Sequence, residues 1–337
     1  MDPNQKYFPA GQSLDLSVVI AVYNEREVVS ELLRRLEAVL SPTGLTYEII
    51  IVDDGSTDDT LATLRSCIPA VPGLRVIELY RNAGQVAAIS AGMSTARGSW
   101  VLMMDGDLQH DPADIPRFLA ERSTGADLIA SYRAKREETL QRKAITAIIN
   151  HLNRALLGIR VRDFGSAFRL IRMEIIQLLK DRTGYVHYNT PELFIKARRY
   201  IELPIAQARR KSGSSKWTLL MFVMFNLDIL VTAMRPVLLA VAVSAIGVCI
   251  GFVLYCLHLI GAITEVQALT GPASIMLLSA LMFMLAVVWR ELIRSRQLAL
   301  GSPSFLIRAI HDGSSSISSD SDLTKTVRGV ESQRSAD

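Results

Sequence analysis

Two long stretches without a charged side chain, residues 236–264 and 266–289, constrain the fold of this chain more than any other feature. Each exceeds the ~20 apolar residues that a helix needs to cross a bilayer. Arg235 precedes the first stretch and Arg290 follows the second, and a single acidic residue separates the two. Because positive charge collects on the cytoplasmic side, both outer ends are expected there. We therefore predict two transmembrane helices within residues 236–292, joined by a tight outer loop.

The rest of the chain is expected to lie on the cytoplasmic side of an inner membrane, as part of a multi-pass protein. Residues 1–15 begin with a polar segment that has no hydrophobic core of a signal peptide. Three cysteines lack the spacing of a zinc site or a disulfide framework. The net charge is only +4, but basic residues cluster beside the apolar stretches: Arg198, Arg199, Arg209, Arg210, Lys211, Lys216, Arg290, Arg294 and Arg296. Anionic lipid headgroups suit that position better than nucleic acid, for which no binding motif is present.

The segment before the first stretch, residues 215–235, is nearly as apolar but carries Asn226 and Asp228 in its middle. A third crossing would move the basic residues after the second stretch to the outer face. We therefore expect an interfacial amphipathic helix that lies along the membrane and ends at the Pro after Arg235. Residues 293–337 are rich in Ser and Asp and are expected to form a cytoplasmic, largely disordered tail.

Residues 16–214 read as one globular α/β domain. Short apolar runs alternate with helical patterns, as in strands covered on both faces of a mostly parallel, doubly wound sheet. The predicted strands are residues 16–23, 47–54, 74–80, 99–107, 126–132 and 200–207. Residues 136–159 predict a helix, and its apolar stripe fits a core-packed and a membrane-surface position equally well.

The most specific chemical signal is the sequence Asp105-Gly106-Asp107, which interrupts an otherwise apolar strand. Gln109 follows it. Ligands of open α/β sheets bind beyond the carboxyl ends of the strands, and carboxylate and amide oxygens suit Mg²⁺ or Mn²⁺. An acidic turn is the alternative. Because burying unpartnered carboxylates is costly, the metal-site interpretation is favoured, with Asp105, Asp107 and Gln109 as ligands.

Two further strand ends are polar: Tyr23, Asn24 and Glu25 close the first strand, and Asp53 and Asp54 close the second. Either turn alone fits ordinary turn and capping chemistry. Three polar strand ends on one rim, beside helix N-termini, favour a nucleotide site. A dinucleotide oxidoreductase and a P-loop NTPase are disfavoured, because the chain has neither a GxGxxG after its first strand nor a GxxxxGK[ST].

The segments AVYNE, VDDGSTDDT, RNAGQVAAISAGMSTARG and MDGDLQHDP resemble family 2 glycosyltransferases, which have the nucleotide-diphospho-sugar transferase (GT-A) fold. The later segments GSAFRLIRME and RRKSGSSKW are similar to the narrower polyprenyl-phosphate branch, which includes dolichol-phosphate mannose synthase and the bacterial undecaprenyl-phosphate glucosyl- and aminoarabinosyltransferases. The chain departs from the family pattern at Ala21, where proline is common, and at Trp217, where tyrosine is usual.

The resemblance implies a role for each motif. Contacts to the nucleotide-sugar are implied for Tyr23, Glu25, Asp53, Asp54 and Asp105. The metal is implied at Asp105, Asp107 and Gln109. The acceptor phosphate is implied at Arg169, Arg210, Ser215 and Lys216, and the catalytic set is Asp105, Asp107 and Arg169.

The implied function is the inverting transfer of a sugar from a nucleotide-sugar, preferentially a UDP-sugar, to a polyprenyl phosphate such as undecaprenyl phosphate. Two alternatives are a processive polysaccharide synthase and an inactive, membrane-tethered nucleotide-binding scaffold. The missing QxxRW motif and the small number of spans disfavour the first, and the intact DGDLQ disfavours the second. The sequence leaves open the sugar, the choice between UDP and GDP, the length of the lipid, and whether the chain forms a homo-oligomer.

Overall fold

The computed structural model describes residues 14–133, 159–181, 184–206 and 305–313, with six helical residues between 281 and 292. The chain divides into two compact units. The first comprises residues 1–143, 160–214 and 303–337, and the second comprises residues 144–159 and 215–302.

In the described part of the first unit, eight strands form one sheet in the order β7-β5-β6-β4-β1-β2-β3-β8. The strands are β1 Leu14–Val22, β2 Tyr47–Asp53, β3 Leu74–Leu79, β4 Gly98–Asp105, β5 Leu128–Arg133, β6 Arg169–Arg172, β7 Tyr200–Ile205 and β8 Ile307–Asp312. β1 to β5 and β7 run in one direction, whereas β6 and β8 run against their neighbours. The predicted mostly parallel α/β sheet is confirmed.

Helices cover both faces of this sheet. They are α1 Arg26–Leu40, α2 Thr60–Cys67, α3 Gln85–Thr95, α4 Ile115–Ala120, α5 Met173–Gln177 and α6 Thr190–Lys196. The buried stripe of α1, spaced at three and four residues, packs on one face together with residues of α2 and α4. α3 packs on the opposite face, where a methyl group added to Gly92 would lie 2.5 Å from Val19 Cγ1.

A buried ionic cluster holds the amino end of the parallel strands together. Glu48 is 1% exposed and accepts hydrogen bonds from Ser17 Oγ at 2.6 Å and from Arg75 Nη1 at 2.8 Å. Arg97 adds its backbone N–H at 2.8 Å and its guanidinium. Burial alone would raise the pKa of Glu48, but the charge of Arg75 and these hydrogen bonds outweigh it and lower that pKa.

β6 and β8 were not predicted from the sequence. β6 has only four residues and lies in an irregular stretch, and β8 lies within residues 293–337, for which a largely disordered tail was expected. Both are antiparallel strands whose pairing is decided by distant neighbours, so local patterning carries little signal for them.

Among the residues that the structure describes, no helix is both long and apolar enough to span a membrane. The interfacial helix predicted at 215–235, the first predicted span and most of the second lie outside these residues. They stay predictions, as does the helix predicted at 136–159.

Candidate active site at the carboxyl rim of the sheet

The carboxyl ends of the parallel strands form one rim, and the three polar strand ends predicted from the sequence meet there. β1 lies between β2 and β4, with Val22 paired to Asp53 and Ala21 paired to Asp105. The residues that follow these strands therefore project from adjacent positions on the sheet. This neighbourhood is called the rim below.

The turn after β1 is tied to the turn after β2. Asn24 adopts a left-handed backbone conformation at φ 55°, and its N–H donates to Ser56 Oγ at 3.0 Å. Its side-chain oxygen accepts the N–H of Thr57 at 2.8 Å. The N–H of Glu25 donates to Thr60 Oγ1 at 3.0 Å. These contacts fix the two turns relative to each other and leave Tyr23 and Glu25 partly exposed on the rim.

The two carboxylates after β2 differ in what they contact. Asp54 accepts the backbone N–H groups of Ala83 at 2.7 Å and Gly84 at 3.0 Å, one on each oxygen. Asp53 accepts the N–H of Ser56 at 3.2 Å on Oδ2, whereas its buried Oδ1 has no hydrogen-bond partner in the structure. Burial raises the pKa of both carboxyl groups above their usual range, against the opposing hydrogen bonds. Asp54 thus holds the loop that precedes α3, whereas one buried oxygen of Asp53 is left without a hydrogen bond.

The same loop connects this pair to the acidic residues after β4. Gln85, the first residue of α3, donates from Nε2 to Asp105 Oδ1 at 2.7 Å. Asp54 and Asp105 are therefore bridged by consecutive residues of one loop. No motif points to Gln85 as a partner of Asp105. The one sequence signal for it is a polar side chain at the start of the helix that follows the third strand end.

The Asp105-Gly106-Asp107 turn is tightly constrained. A methyl group on Gly106 would lie 2.7 Å from Val22 Cγ1, so the turn packs directly on β1. Leu108 has φ 57°, an unfavourable conformation for a bulky side chain that the surrounding contacts must hold in place. Gln109 donates its backbone N–H to Asp107 Oδ1 at 3.0 Å and its side-chain Nε2 to Asp107 Oδ2 at 2.8 Å.

The chemistry of this turn fits a divalent cation. Burial raises the pKa of Asp105 above its usual range despite the opposing influence of His110, and the charge of Asp107 raises it further. Two neighbouring carboxylates repel each other, and a bound cation relieves that repulsion. Mg²⁺ or Mn²⁺ needs few protein ligands when the phosphates of a substrate supply the others. Within the described ranges, no group of three or more His, Cys, Asp or Glu side chains is arranged for metal binding.

His110 also lies against this turn. The side chain is 2% exposed, its Nδ1 is 3.7 Å from Asp105 Oδ2, and its ring meets Phe168 edge-on with centroids 5.9 Å apart. Burial lowers the pKa of His110, which favours the neutral imidazole. Phe168 directly precedes β6, so the pairing of β6 with β4 brings it to His110.

Comparison with known proteins places the chain in a family. The sequence model for glycosyl transferase family 2 matches residues 17–179. The chain is 34% identical over 254 residues to the undecaprenyl-phosphate 4-deoxy-4-formamido-L-arabinose transferase of Klebsiella pneumoniae subsp. pneumoniae, covering 72% of this chain and 76% of that protein. Its counterpart in Enterobacter sp. is 36% identical over 249 residues, covering 71% and 74%.

The chain belongs to glycosyltransferase family 2. Its relatives are polyprenyl-phosphate glycosyltransferases, so the resemblance seen in the sequence motifs is confirmed. Among solved structures, glucosyl-3-phosphoglycerate synthase from Mycobacterium tuberculosis in complex with UDP is 20% identical, with a TM-score of 0.46, covering 65% of this chain and 79% of that one. The family assignment depends on the sequence relatives and not on this likeness.

In this family 2 chain, Arg169 begins β6 beside the rim, paired to Met103 of β4. Its side chain is 2% exposed and donates to Tyr188 Oη, to Thr190 Oγ1 at 3.1 Å and to the carbonyl of Phe164 at 2.7 Å. No carboxylate of the described residues lies within 4.0 Å of this guanidinium. Its positive charge nevertheless reaches Asp105, where it partly opposes the rise in pKa that burial causes.

The predicted site residues are therefore only partly placed. Residues after β1, β2 and β4 share the rim with Arg169. Three residues predicted at the acceptor phosphate, Arg210, Ser215 and Lys216, lie outside the described residues.

Proposed function

We propose that this glycosyltransferase transfers a sugar, with inversion, from a nucleotide-sugar to a polyprenyl phosphate. UDP is the preferred nucleotide and undecaprenyl phosphate the preferred acceptor. The relatives in Klebsiella and Enterobacter carry names that specify undecaprenyl phosphate as the acceptor. Family membership supports a nucleotide-sugar donor.

The proposal is carried by the positions at which the chain leaves the sheet and re-enters it. β5 and β7 run parallel to the central strands, so both end at the rim, at Arg133 and Ile205. β8 runs antiparallel to β3, and its first residue, Ile307, pairs with Leu79 at the rim end of β3. The segments with the predicted interfacial and transmembrane helices therefore join the sheet at the edge that carries the acidic residues.

Exposed apolar side chains in the second unit support a lipid environment for it. Five of the six helical residues that are described between 281 and 292 carry large, exposed apolar side chains: Leu281, Leu285, Val288, Trp289 and Leu292. Exposed apolar side chains in such number are typical of a surface that meets lipid or another protein. We propose that the protein is an inner-membrane protein whose sheet lies in the cytoplasm.

In the proposed reaction, Asp53 accepts a hydrogen bond from the nucleotide, while Tyr23 and Glu25 line the exposed part of the rim. Asp105 and Asp107 would hold Mg²⁺ or Mn²⁺, which supplies charge neutralisation at the diphosphate when bound. Gln109 orients Asp107, and its role as a third ligand remains a prediction. Arg169 adds positive charge beside the reacting groups. Arg210, Ser215 and Lys216 are proposed at the acceptor phosphate.

The acceptor needs little activation. The second pKa of a phosphate monoester is about 6, so the lipid phosphate is already largely ionised at neutral pH. Its oxygen can attack the anomeric carbon from the face opposite the departing nucleotide. The task of the protein is then to position both substrates and to neutralise charge, and a strong general base is not required.

The test compares two acid-to-amide variants of the full chain in detergent with undecaprenyl phosphate and a UDP-sugar. Asp107→Asn is expected to reduce sugar transfer about a hundredfold or more, the scale of losing an electrostatic contact at the reacting centre. Asp111→Asn, four residues later and exposed, removes a charge but keeps an oxygen that can accept the N–H of Ala113, and it should retain most activity. Substantial transfer by Asp107→Asn would contradict the proposal, provided that both variants melt near the wild-type temperature.

A further inference from the structure

Arg169 is held by neutral groups alone among the described residues, although it is a buried cation. An arginine has five N–H donors. Two from Nη1 go to the hydroxyls of Tyr188 and Thr190, and one from Nη2 goes to the carbonyl of Phe164. Nε has no hydrogen-bond partner. Two donors therefore remain, one on Nε and one on Nη2.

A buried, uncompensated charge is costly unless an anion arrives to pair with it. The pair of donors left on Nε and Nη2 suits a bidentate phosphate contact, which a guanidinium makes better than an ammonium. Arginine also carries much rotamer freedom, and that freedom must be lost before or during binding. Groups that fix the side chain in advance therefore strengthen binding without touching the ligand.

Tyr188 is well placed to fix Arg169 in this way, because its own backbone is anchored. Its N–H donates to Ser90 Oγ of α3 at 3.1 Å, and the N–H of Val186 donates to Ser94 Oγ, one helical turn later, at 2.8 Å. Tyr188 is 9% exposed, and its hydroxyl also contacts Thr190 Oγ1 at 3.0 Å. α3 is the helix whose first residue contacts Asp105. α3 therefore contacts both the acidic turn and the segment with Tyr188, which holds Arg169.

We propose that Tyr188 is a positioning residue that, together with Thr190, presents Arg169 to a phosphate group of a substrate. The inference rests on the proposed function and adds to it a residue that no sequence motif indicated. The phosphate belongs either to the nucleotide diphosphate or to the lipid acceptor. The chemistry of recognition is the same for both, and the experiment distinguishes them.

The test removes the hydroxyl alone. Tyr188→Phe is expected to lower kcat/KM for transfer about tenfold, the scale of losing one hydrogen bond from a charged donor. If Arg169 serves the acceptor, the KM for undecaprenyl phosphate rises and UDP binding by calorimetry is unchanged. If it serves the donor, UDP binding weakens. Tyr185→Phe is the matched control: it removes a phenol hydroxyl from the same segment, and that ring packs edge-on against Phe305.

A second background separates positioning from a structural effect. Arg169→Lys removes the guanidinium that Tyr188 orients. Adding Tyr188→Phe to Arg169→Lys should therefore change the rate of transfer less than about twofold. Thr190→Val should give a smaller loss of the same kind as Tyr188→Phe. The inference is overturned if Tyr188→Phe leaves both UDP binding and acceptor KM unchanged, if Tyr185→Phe has an equal effect, or if the losses add fully in the Arg169→Lys background. A wild-type chain that binds UDP but forms no lipid product refutes the proposed function. In that case the comparison of UDP binding by wild type and Tyr188→Phe still tests the role of Tyr188.

Discussion

Replacing Asp54 by asparagine should weaken donor binding without unfolding the domain. The carboxylate accepts the N–H groups of Ala83 and Gly84, and an amide can accept only one of them and turns its NH₂ group toward the other. A hydrogen bond to a charged group contributes about 1.5–3 kcal/mol. Part of this loss is offset, because burial raises the pKa of Asp54 and the neutral amide avoids that desolvation cost. A net loss of about 1–2 kcal/mol corresponds to roughly 5- to 30-fold in affinity.

The loss should appear in the binding of UDP, because the loop that Asp54 holds also carries Gln85 to Asp105. Calorimetric titration of UDP with Mn²⁺ measures it, and thermal melting measures stability in parallel. Asp59→Asn is the matched control, since its carboxylate pairs with Arg26 in a contact whose side chains are 69% and 61% exposed, and such pairs contribute little. Wild-type affinity in Asp54→Asn, or an equal loss in Asp59→Asn, would show that the contacts of Asp54 do not support UDP binding.

Three further outcomes test other parts of the structure. Gly55→Ala places a methyl group 2.6 Å from the backbone carbon of Arg81 at φ +68°, where an L-residue costs about 1–2 kcal/mol, so melting temperature and UDP affinity should both fall. Unchanged values of both would show that the two rim turns do not need this close contact. Glu48→Gln leaves Arg75 buried without its carboxylate and should cost about 3–5 kcal/mol of unfolding free energy at neutral pH. The pKa of Glu48 is lower in the folded state than its ordinary value of 4.5, so the extra stability of the wild type is fully present above pH 4.5. It fades as the pH falls through the lowered pKa. Denaturant titrations in which wild type and variant differ by the same unfolding free energy at every pH would contradict this. Lys216→Ala should raise the KM for undecaprenyl phosphate more than it weakens UDP binding, and equal effects in the two assays would count against its acceptor role.

The parallel strands could be predicted closely because they are buried on both faces. Their apolar runs are continuous, and polar residues mark where each one stops. The sequence predicted β2 as residues 47–54, and it spans Tyr47–Asp53. The meeting of the strand ends also followed from the sequence, since the carboxyl ends of parallel strands share an edge. The family motifs then supplied roles for residues whose types alone left the chemistry open.

The contacts inside the site could not be predicted, because they join residues that are distant in sequence. Asp54 meets Ala83, 29 residues later, through backbone N–H groups that every residue possesses. Arg169 meets Tyr188, 19 residues later, across a stretch with no regular pattern. His110 packs against Phe168, which directly precedes an antiparallel strand of four residues. In each case the tertiary fold decides the partner, and local sequence does not.

We propose that the acidic rim brings a nucleotide-sugar to a lipid phosphate. The decisive experiment incubates the purified full chain with undecaprenyl phosphate, Mn²⁺ and a set of UDP- and GDP-sugars, and measures the mass of the extracted lipid. We expect a lipid heavier by one glycosyl residue with one of the UDP-sugars, and no heavier lipid with Asp107→Asn. An unchanged lipid mass with every donor, from a protein that binds UDP, would contradict it.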